Sequence, residues 1–375
     1  MVPPRGGITE RIGDWQTALA ALKQEPLAAC SHFPAVAEQW EAWWQRENRK
    51  PLVMAQVMRS ATIRLDKAFD LIAAPEAWLG VRRRQLAETV FFGEALPFIR
   101  VDIGPVATAA FLGAPLHLAQ EENTSWQDPI IDSWENPPDL VFDPQQPVWR
   151  TVAKLVQHVA ADARGKYLVG LPDLTGAMDV LSNLRTPEKL CLDLFEYRAA
   201  VMAAADRVVD VWECCFSQLY DQILAAGAIP VQWISCWSDG PYTVPTCDFN
   251  ALIGPRDFQE VCMPSLKAQA RRAGRCCFHL DGPDAARHAE ILARDEDITA
   301  IQYTPGAGTP SALAKLPLFQ MLQEAQVPLF IECPAVEVKE LATALDPRGV
   351  AIRAHGVESP AQGTDLVAWR DAQFG

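Results

Sequence analysis

The stretch CCFHLDGPDAARH, residues 276–288, places a histidine and an aspartate two positions apart where an apolar segment ends. In an extended strand, residues i and i+2 point to the same side, so we expect His279 and Asp281 to face one cavity. An imidazole and a carboxylate so placed can bind a metal ion, act as a general acid and base, or hydrogen-bond an anionic or hydroxylated ligand. Their spacing alone does not choose among these three kinds of site.

Eight short apolar segments, bounded by Gly, Pro or charged residues, are predicted to be strands, and amphipathic segments lie between them. Strands that are apolar on both faces suit a parallel sheet covered by helices. Eight β-then-α units favour an α/β fold of the (β/α)8 TIM-barrel type. A doubly wound open sheet is the alternative, although no GxGxxG motif follows an early strand. The predicted strands are 51–57, 98–104, 166–171, 229–236, 275–280, 298–303, 327–333 and 349–354.

We predict two regions, an N-terminal helical extension over residues 1–50 and the barrel over residues 51–375. The extension carries Trp40, Trp43 and Trp44, which we expect to pack on the barrel of the same chain or on a second subunit. The chain is therefore expected to be a monomer or a homodimer. Residues 112–150, rich in Pro, Asp and Trp, are expected to form a long excursion between the second and third strands.

A barrel of this type carries its active site at the C-terminal ends of the strands, and polar or aromatic side chains follow nearly every predicted strand here. Some of them have structural alternatives, since Asp173 and Asp248 suit helix caps and buried cysteines are usually inert. Besides His279 and Asp281, the candidate site residues are Asp173, Asp179, Arg185, Trp237, Tyr242, Cys247, Asp248, Gln302, Tyr303, Glu332 and His355.

Composition excludes several classes of function. The chain has 33 Lys and Arg against 47 Asp and Glu, a formal net charge of −14, with no basic cluster longer than Arg82–Arg84. That balance argues against a nucleic-acid groove. No run of about 18 apolar residues occurs, so no membrane span is expected. Without a signal-peptide pattern or a CxxC motif among its ten cysteines, the chain is predicted to be cytoplasmic, with buried thiols.

The run PTCDFNALIGPRDFQEVCMPSLKAQARRAGRCCFHLDGPDAARHAEIL, followed by ITAIQYTPGAG, resembles the uroporphyrinogen decarboxylase (URO-D) family. It is more similar to the branch of that family near the cobalamin-dependent methyltransferases. The resemblance lies in Asp248 and Phe249, in Pro255 and Phe258, in the strand that ends at His279, and in the loop DLTGAMDVLSNLR. It runs from about residue 50 to the C-terminus and implies a (β/α)8 barrel.

The resemblance to true porphyrinogen decarboxylases implies arginines just after the first strand and no cofactor. Arg59 stands where the first arginine belongs, but the usual Arg-x-x-x-Arg-Tyr run is missing. A tetra-acidic substrate needs several cations once its carboxylates leave water. Porphyrinogen decarboxylation is therefore disfavoured.

The resemblance to the methyltransferase branch implies Zn²⁺ held by a His-x-Cys pair after the fifth strand and by a cysteine after the eighth. This chain keeps His279, has Asp281 in place of the first cysteine, and offers His355 in place of the second. Cys247 is an alternative ligand. Such a set is competent for Zn²⁺ or another divalent metal, because a carboxylate replaces a thiolate. A site without any cofactor is the other possibility.

Methyl (one-carbon) transfer with a corrinoid or folate partner is the leading prediction. His279 and Asp281 would be ligands or acid–base groups, and Asp173, Asp179 and Asp248 would orient a small-molecule substrate. The resemblance leaves two alternatives: a cofactor-independent decarboxylase of a small or porphyrinogen-like acid, and a non-enzymatic receptor for a small molecule or corrinoid. In the substrate pocket Arg59 and Arg185 would hold acidic groups. Its remaining lining would come from Trp237, Tyr242, Gln302, Tyr303 and Glu332.

Overall fold

The computed structural model describes residues 7–59, 66–306, 308 and 311–375. Residues 1–6 of the predicted N-terminal extension lie outside this range. Within the described residues, no helix is both long enough and apolar enough to cross a membrane.

All eight predicted strands are present, although most are shorter than predicted. Three further strands were not predicted: β2, which follows a helix, and the pair β4 and β5, which lies inside the predicted excursion 112–150. In chain order the strands are β1 Leu52–Met58, β2 Thr89–Gly93, β3 Phe98–Arg100, β4 Leu116–Ala119, β5 Thr124–Gln127, β6 Leu168–Gly170, β7 Pro230–Val231, β8 Cys277–Asp281, β9 Ala300–Thr304, β10 Leu329–Pro334 and β11 Val350–His355.

The eight predicted strands form two sheets in which neighbours are parallel. One sheet has the order β2–β1–β11–β10–β9–β8, with β2 antiparallel to β1, and the other has the order β3–β6–β7. Thr243 and Pro245 join the sheets at one side, because Cys277 N donates to Thr243 O over 3.0 Å and His279 N donates to Pro245 O over 3.0 Å. Among the described residues no strand pairing joins β3 to β1 or β2. The fold is thus mixed α/β with mainly parallel strands, and the described strands do not form one continuous hydrogen-bonded sheet.

Helices cover both sheets, and several of them begin at a proline, whose fixed φ suits the first helical turn. A short π-helical segment, Phe258–Cys262, lies between α9 and α10. The helices are α1 Ile8–Leu22, α2 Phe33–Trp44, α3 Pro75–Glu88, α4 Ala107–Phe111, α5 Pro147–Ala163, α6 Ala177–Arg185, α7 Pro187–Glu196, α8 Arg198–Ala225, α9 Pro255–Asp257, α10 Met263–Ala273, α11 Gly282–Ala285, α12 Ala289–Ala293, α13 Leu316–Glu324, α14 Val338–Ala344 and α15 Pro360–Phe374.

Helix α2 covers the N-terminal ends of the strands. Trp40 and Trp43 are fully buried and Trp44 nearly so, all within the same chain. Trp43 Nε1 donates to the carbonyl of Leu329, the first residue of β10, over 3.1 Å. Trp44 Nε1 donates to Trp237 O over 2.7 Å. Because these indoles occupy one end of the strands, a site must open at the opposite, C-terminal end.

Candidate functional site

Three ligand-bearing side chains converge at the C-terminal end of β8. One side-chain ligand atom from each of Asp248, His279 and Asp281 lies within 4.8 Å of those from the other two. His279 and Asp281 come from the strand itself and are partly buried, whereas Asp248 comes from the loop after β7 and is exposed. The predicted pairing of His279 with Asp281 on one side of the strand is therefore present, and Asp248 completes a group of three.

The ring of His279 is oriented by a neighbouring strand. His279 is the register partner of Gln302 in the β8–β9 ladder, so the two side chains lie side by side. Gln302 is fully buried, its Nε2 donates to Thr304 Oγ1 over 2.8 Å, and its Oε1 hydrogen-bonds His279 Nδ1. In this arrangement Nδ1 carries the proton and Nε2 keeps its lone pair. The edge contact with Trp233, at 5.0 Å between centroids, fixes the ring further.

Asp281 carries a buried oxygen with no hydrogen-bond partner within the described residues. That atom is Oδ1. The strand turns immediately after it at Gly282, whose φ is +79°, and Gly306 packs against this turn: a Cβ on Gly306 would lie 2.8 Å from Gly282 Cα. A buried carboxylate oxygen without a donor costs free energy unless a proton or cation reaches it. The turn therefore presents an acceptor that a bound cation would satisfy.

The loop that carries Asp248 is held by a buried carboxylate, Asp179 of α6. Its Oδ2 accepts from Asp248 N over 3.0 Å and from the Thr246 hydroxyl, and its Oδ1 accepts from Phe249 N over 2.9 Å. Burial, followed by the charge of Asp248, raises the pKa of Asp179 to about 7, although these donors favour its charged form. Asp179 thus fixes the backbone of the loop through bonds that leave it no free oxygen.

Acidic groups are crowded around the three-residue group. Burial is the main cause that raises the pKa of Asp173 to about 6, against the opposing charge of Arg100. The pKa of Asp248 is also raised to about 6. Protein atoms crowd its carboxylate although it remains exposed, and the charges of Asp281 and Asp173 add to the effect. Carboxylates that raise one another's pKa form a site that a cation would stabilise.

A cavity of about 640 Å³ opens beside His279. Three arginines line it, Arg82 of α3, Arg100 at the end of β3 and Arg353 of β11, together with Asp102 and Glu332. Sequence analysis did not select these arginines as site residues. The end of a predicted strand was a usable signal for Arg353. Arg100 lies inside the predicted strand 98–104 and comes to a strand end only because β3 is shorter than predicted, and the inward orientation of Arg82 depends on how α3 packs. The other lining side chains are Gln56, Val57, Met58, Gln85, Leu86, Thr89, Phe91, Leu96, Phe98, Ile99, Trp233 and Thr304.

The three aromatic residues that were expected to line the pocket lie in the core instead. Tyr303 is the register partner of Leu280, so it faces the helices and packs on Phe319 of α13. Trp237 is fully buried against α2. The Tyr242 hydroxyl donates to a backbone carbonyl over 2.6 Å. The physical reason is strand alternation for Tyr303, and for the other two the packing of α2 and the loop after β7.

Arg185, Arg59 and Cys247 also lie away from the cavity. Arg185 forms an ion pair with Asp193 at 2.8 Å, so its charge is already used. Arg59 is exposed just beyond β1 and does not line the cavity. Cys247 is buried, and a hydrogen bond with Cys262, together with burial, holds the pKa of its thiol well above the ordinary value. A protonated, enclosed thiol of this kind is a poor metal ligand.

His355 does not join the three-residue group, because it is turned toward Glu332. Its Nε2 lies 2.7 Å from Glu332 Oε2, and Arg353 Nη1 lies 3.3 Å from Glu332 Oε1. Burial acts to raise the pKa of Glu332, but these two partners outweigh it and keep the pKa below its ordinary value. Asp248, rather than His355, therefore completes the three-residue group, and Glu332, which was expected in the substrate pocket, lines the cavity.

Comparison with solved structures finds proteins of similar fold. A methyltransferase from Methanosarcina mazei matches this chain with a TM-score of 0.59 at 13% sequence identity, and the match covers 91% of this chain and 99% of that one. At this identity the likeness shows a shared fold. No protein-family profile and no curated protein sequence matches the chain. The resemblance to the URO-D family accordingly stays a prediction.

Proposed function

We propose that this protein is a metal-dependent methyl-transfer enzyme whose metal is held by Asp248, His279 and Asp281. The observation that carries the proposal is the convergence of these three ligand atoms within 4.8 Å at the C-terminal end of β8. The shared fold with a methyltransferase supports the reaction class.

The donor set fits a divalent cation. It offers one imidazole nitrogen and two carboxylates, which suit Zn²⁺ and harder divalent ions alike. The partnerless Oδ1 of Asp281 and the crowding of acidic groups are both features that a cation would relieve. When bound, such a metal lowers the pKa of a coordinated thiol, so that it reacts as a thiolate at neutral pH.

The chain's own residues have separable roles in this scheme. Gln302 accepts a hydrogen bond from Nδ1–H of His279, which leaves Nε2 free to bind the metal. Asp179 fixes the loop that carries Asp248. The cavity beside His279 receives the methyl acceptor. In the transfer, a bond forms between the acceptor sulfur and the methyl carbon while the donor–methyl bond breaks, and the donor keeps that electron pair. Crowded carboxylates nearby take up the acceptor's proton.

The finer assignments belong to the same proposal. We place the chain beside the cobalamin-dependent methyltransferases, with a corrinoid or folate as methyl donor and a cytoplasmic location. We also propose that the two parallel sheets are parts of one (β/α)8 barrel. The chain order of the strands supports this, as do the backbone bonds of Thr243 and Pro245 to β8.

A second function is favoured by the three arginines of the cavity. Arg82, Arg100 and Arg353 suit a small acid, and decarboxylation of such an acid needs cations and a proton donor but no metal. His279 or a neighbouring carboxyl group would then protonate the carbanion. The metal content of the protein separates the two functions.

Methyl transfer is tested with methylcobalamin and methyltetrahydrofolate as donors and a panel of thiols as acceptors, some carrying an acidic group. We expect a thioether product from zinc-loaded protein, and its loss in Asp281→Ala. The matched control is Asp128→Ala, which alters an exposed His–Asp pair on the β4–β5 hairpin and should keep full activity. No product from either donor, or equal product from both variants, would contradict the proposal.

A further inference from the structure

We propose that Arg82 and Arg100 form a subsite for an acidic group of the substrate, a carboxylate or a tetrahedral oxyanion. Both arginines line the cavity beside His279. The inference names the substrate class of the proposed enzyme, and it rests on the proposed function only in taking this cavity as the substrate site.

Arg82 has donor capacity that the described residues do not use. Its Nη1 donates to Asp66 O over 3.3 Å, and its guanidinium lies 5.5 Å from the centre of the Trp78 ring. Its buried Nε has no hydrogen-bond partner within the described part of the chain. A buried N–H of a guanidinium costs free energy when it has no hydrogen-bond acceptor, so an acceptor is expected in the adjoining cavity.

The two guanidiniums face the same space and repel each other. Burial lowers the pKa of Arg82, Asp102 opposes that effect, and the positive charge of Arg100 lowers the pKa further. Arg100 binds Asp102 through Nη2 and donates from Nη1 to Trp233 O over 3.3 Å, so donors of its fork are also left over. Asp102 is shared, since Lys67 Nζ lies 3.9 Å from its Oδ1.

The charges of the cavity lining leave room for one anion. Three arginines face two carboxylates, Asp102 and Glu332, and Glu332 is already bound by both Arg353 and His355. Among the described residues Arg82 forms no ion pair, so an added acidic group would be its partner. Arginine presents its donors in a planar fork that fits carboxylate and phosphate oxygens, which gives the subsite its chemical class.

The test is direct binding, measured by titration calorimetry at low salt on protein that has been stripped of metal with EDTA and then exchanged into chelator-free buffer. The probes are glutarate and its neutral diamide glutaramide, together with phosphate and sulfate. The variants are Arg82→Gln and the charge-keeping Arg82→Lys. The control is Arg83→Gln, the next residue of α3, whose side chain is 57% exposed. Circular dichroism checks that each variant is folded.

We expect at least one acid to bind and glutaramide not to bind. Arg82→Gln should weaken acid binding by about tenfold or more, since a charge-assisted hydrogen bond is worth about that factor. Arg82→Lys should also weaken it, because the fork is lost, and Arg83→Gln should change it by less than about twofold. A preference for glutarate over phosphate and sulfate identifies a planar acid, and the reverse identifies a tetrahedral one.

The inference is overturned if none of the acids binds, if glutaramide binds as tightly as glutarate, or if Arg82→Gln and Arg83→Gln bind alike. Because the metal is removed before the titration, these results do not depend on the three-residue group. A protein that binds acids through Arg82 but transfers no methyl group would keep the subsite and lose the proposed function.

Discussion

The orientation of the His279 ring depends on its neighbour Gln302. Gln302 was expected to contact substrate, yet it is fully buried and hydrogen-bonds the imidazole. Thr304 in turn accepts from the amide of Gln302 over 2.8 Å. Such partners fix the tautomer and the direction of a metal-binding ring. The ligand and the group that orients it therefore come from adjacent strands.

This arrangement predicts that Gln302→Leu weakens metal binding without removing a ligand. We expect roughly a 10- to 100-fold loss of Zn²⁺ affinity, the usual cost of removing a group that orients a ligand. Competition with a chromophoric chelator measures it. Thr304→Val should reduce the Zn²⁺ affinity less, because Gln302 can still accept the hydrogen bond from Nδ1–H of His279. Unchanged affinity in Gln302→Leu would contradict the assigned tautomer.

Asp173 predicts a pH-dependent stability. Its pKa rises on folding from 3.8 to about 6, chiefly through burial, so the folded state binds the proton more tightly than the unfolded state. Its contribution to the free energy of unfolding therefore falls as pH rises from about 4 to about 6. Asp173→Asn should remove this loss, which amounts to as much as about 3 kcal/mol at pH 7.

The measurement for Asp173 is urea denaturation of both proteins at pH 4 and pH 7, with EDTA present. Asparagine keeps the acceptor for Thr175 N, which lies 3.0 Å from Asp173 Oδ1, so the change is mainly one of charge. The free energy of unfolding of Asp173→Asn should exceed that of the parent only at pH 7. An equal difference at both pH values would show that the charge of Asp173 carries no penalty.

Among the elements, the eight strands and most of their parallel pairings were predictable, whereas the breaks in the sheet and the antiparallel strand β2 were not. Strands such as β10, LFIECP, are apolar on both faces, and all eight were found from that pattern. The edge strand β2 was missed because its side chains are all half-buried, which leaves no alternation to detect. One of the two breaks between the sheets adjoins a strand of only two residues, β7, and the other lies between β3 and β1.

The site was predictable only where one strand carries it. His279 and Asp281 share a face through the two-residue repeat, which sequence alone gives. Asp248 joins them because Asp179 of a different helix binds its loop, and no local pattern records that contact. Arg82 faces the cavity while Arg83, next to it in α3, faces solvent, and only tertiary packing sets that direction.

A buried ion pair ties the C-terminal helix α15 to Glu94, the residue after β2, and Glu94 in turn binds the backbone of β1. Arg370 Nη1 lies 2.7 Å from Glu94 Oε1, and Glu94 Oε2 accepts from Val53 N over 2.9 Å. Without Glu94, buried Arg370 would keep only the partly exposed Asp371 as a partner, at 2.9 Å, so Glu94→Ala should lower the free energy of unfolding by about 3 kcal/mol in denaturant titrations.

The matched control for this ion pair is Glu290→Ala, which breaks an exposed pair with Arg294 of side chains 64% and 76% exposed. It should cost less than about 0.5 kcal/mol. Similar losses in the two variants would mean that the buried pair of Arg370 with Glu94 stabilises the fold no more than an exposed pair does.

In the whole molecule, the N-terminal ends of the strands are packed by helix α2 and the C-terminal ends carry the candidate site. The indoles of α2 occupy the N-terminal ends, where Trp43 and Trp44 bond the backbone of the strands and of the loop after β7. The opposite ends hold the acidic group around His279 and the arginine-lined cavity beside it. A chain with a net charge of −14 thus keeps a local cationic surface next to an anionic one. Together they suit a cation and an acidic substrate.

The metal content of the protein shows most directly whether Asp248, His279 and Asp281 bind a metal ion. Protein purified without affinity-tag metal or chelator, and then dialysed against a trace of Zn²⁺, is measured by inductively coupled plasma mass spectrometry. We predict near-stoichiometric metal in the parent and in the control His117→Ala, which alters the exposed pair with Asp128. We predict its loss in His279→Ala and Asp281→Ala. Folded parent protein without metal, or metal retained in both variants, would contradict metal binding by these three residues. Decarboxylation of a small acid would then be the favoured function.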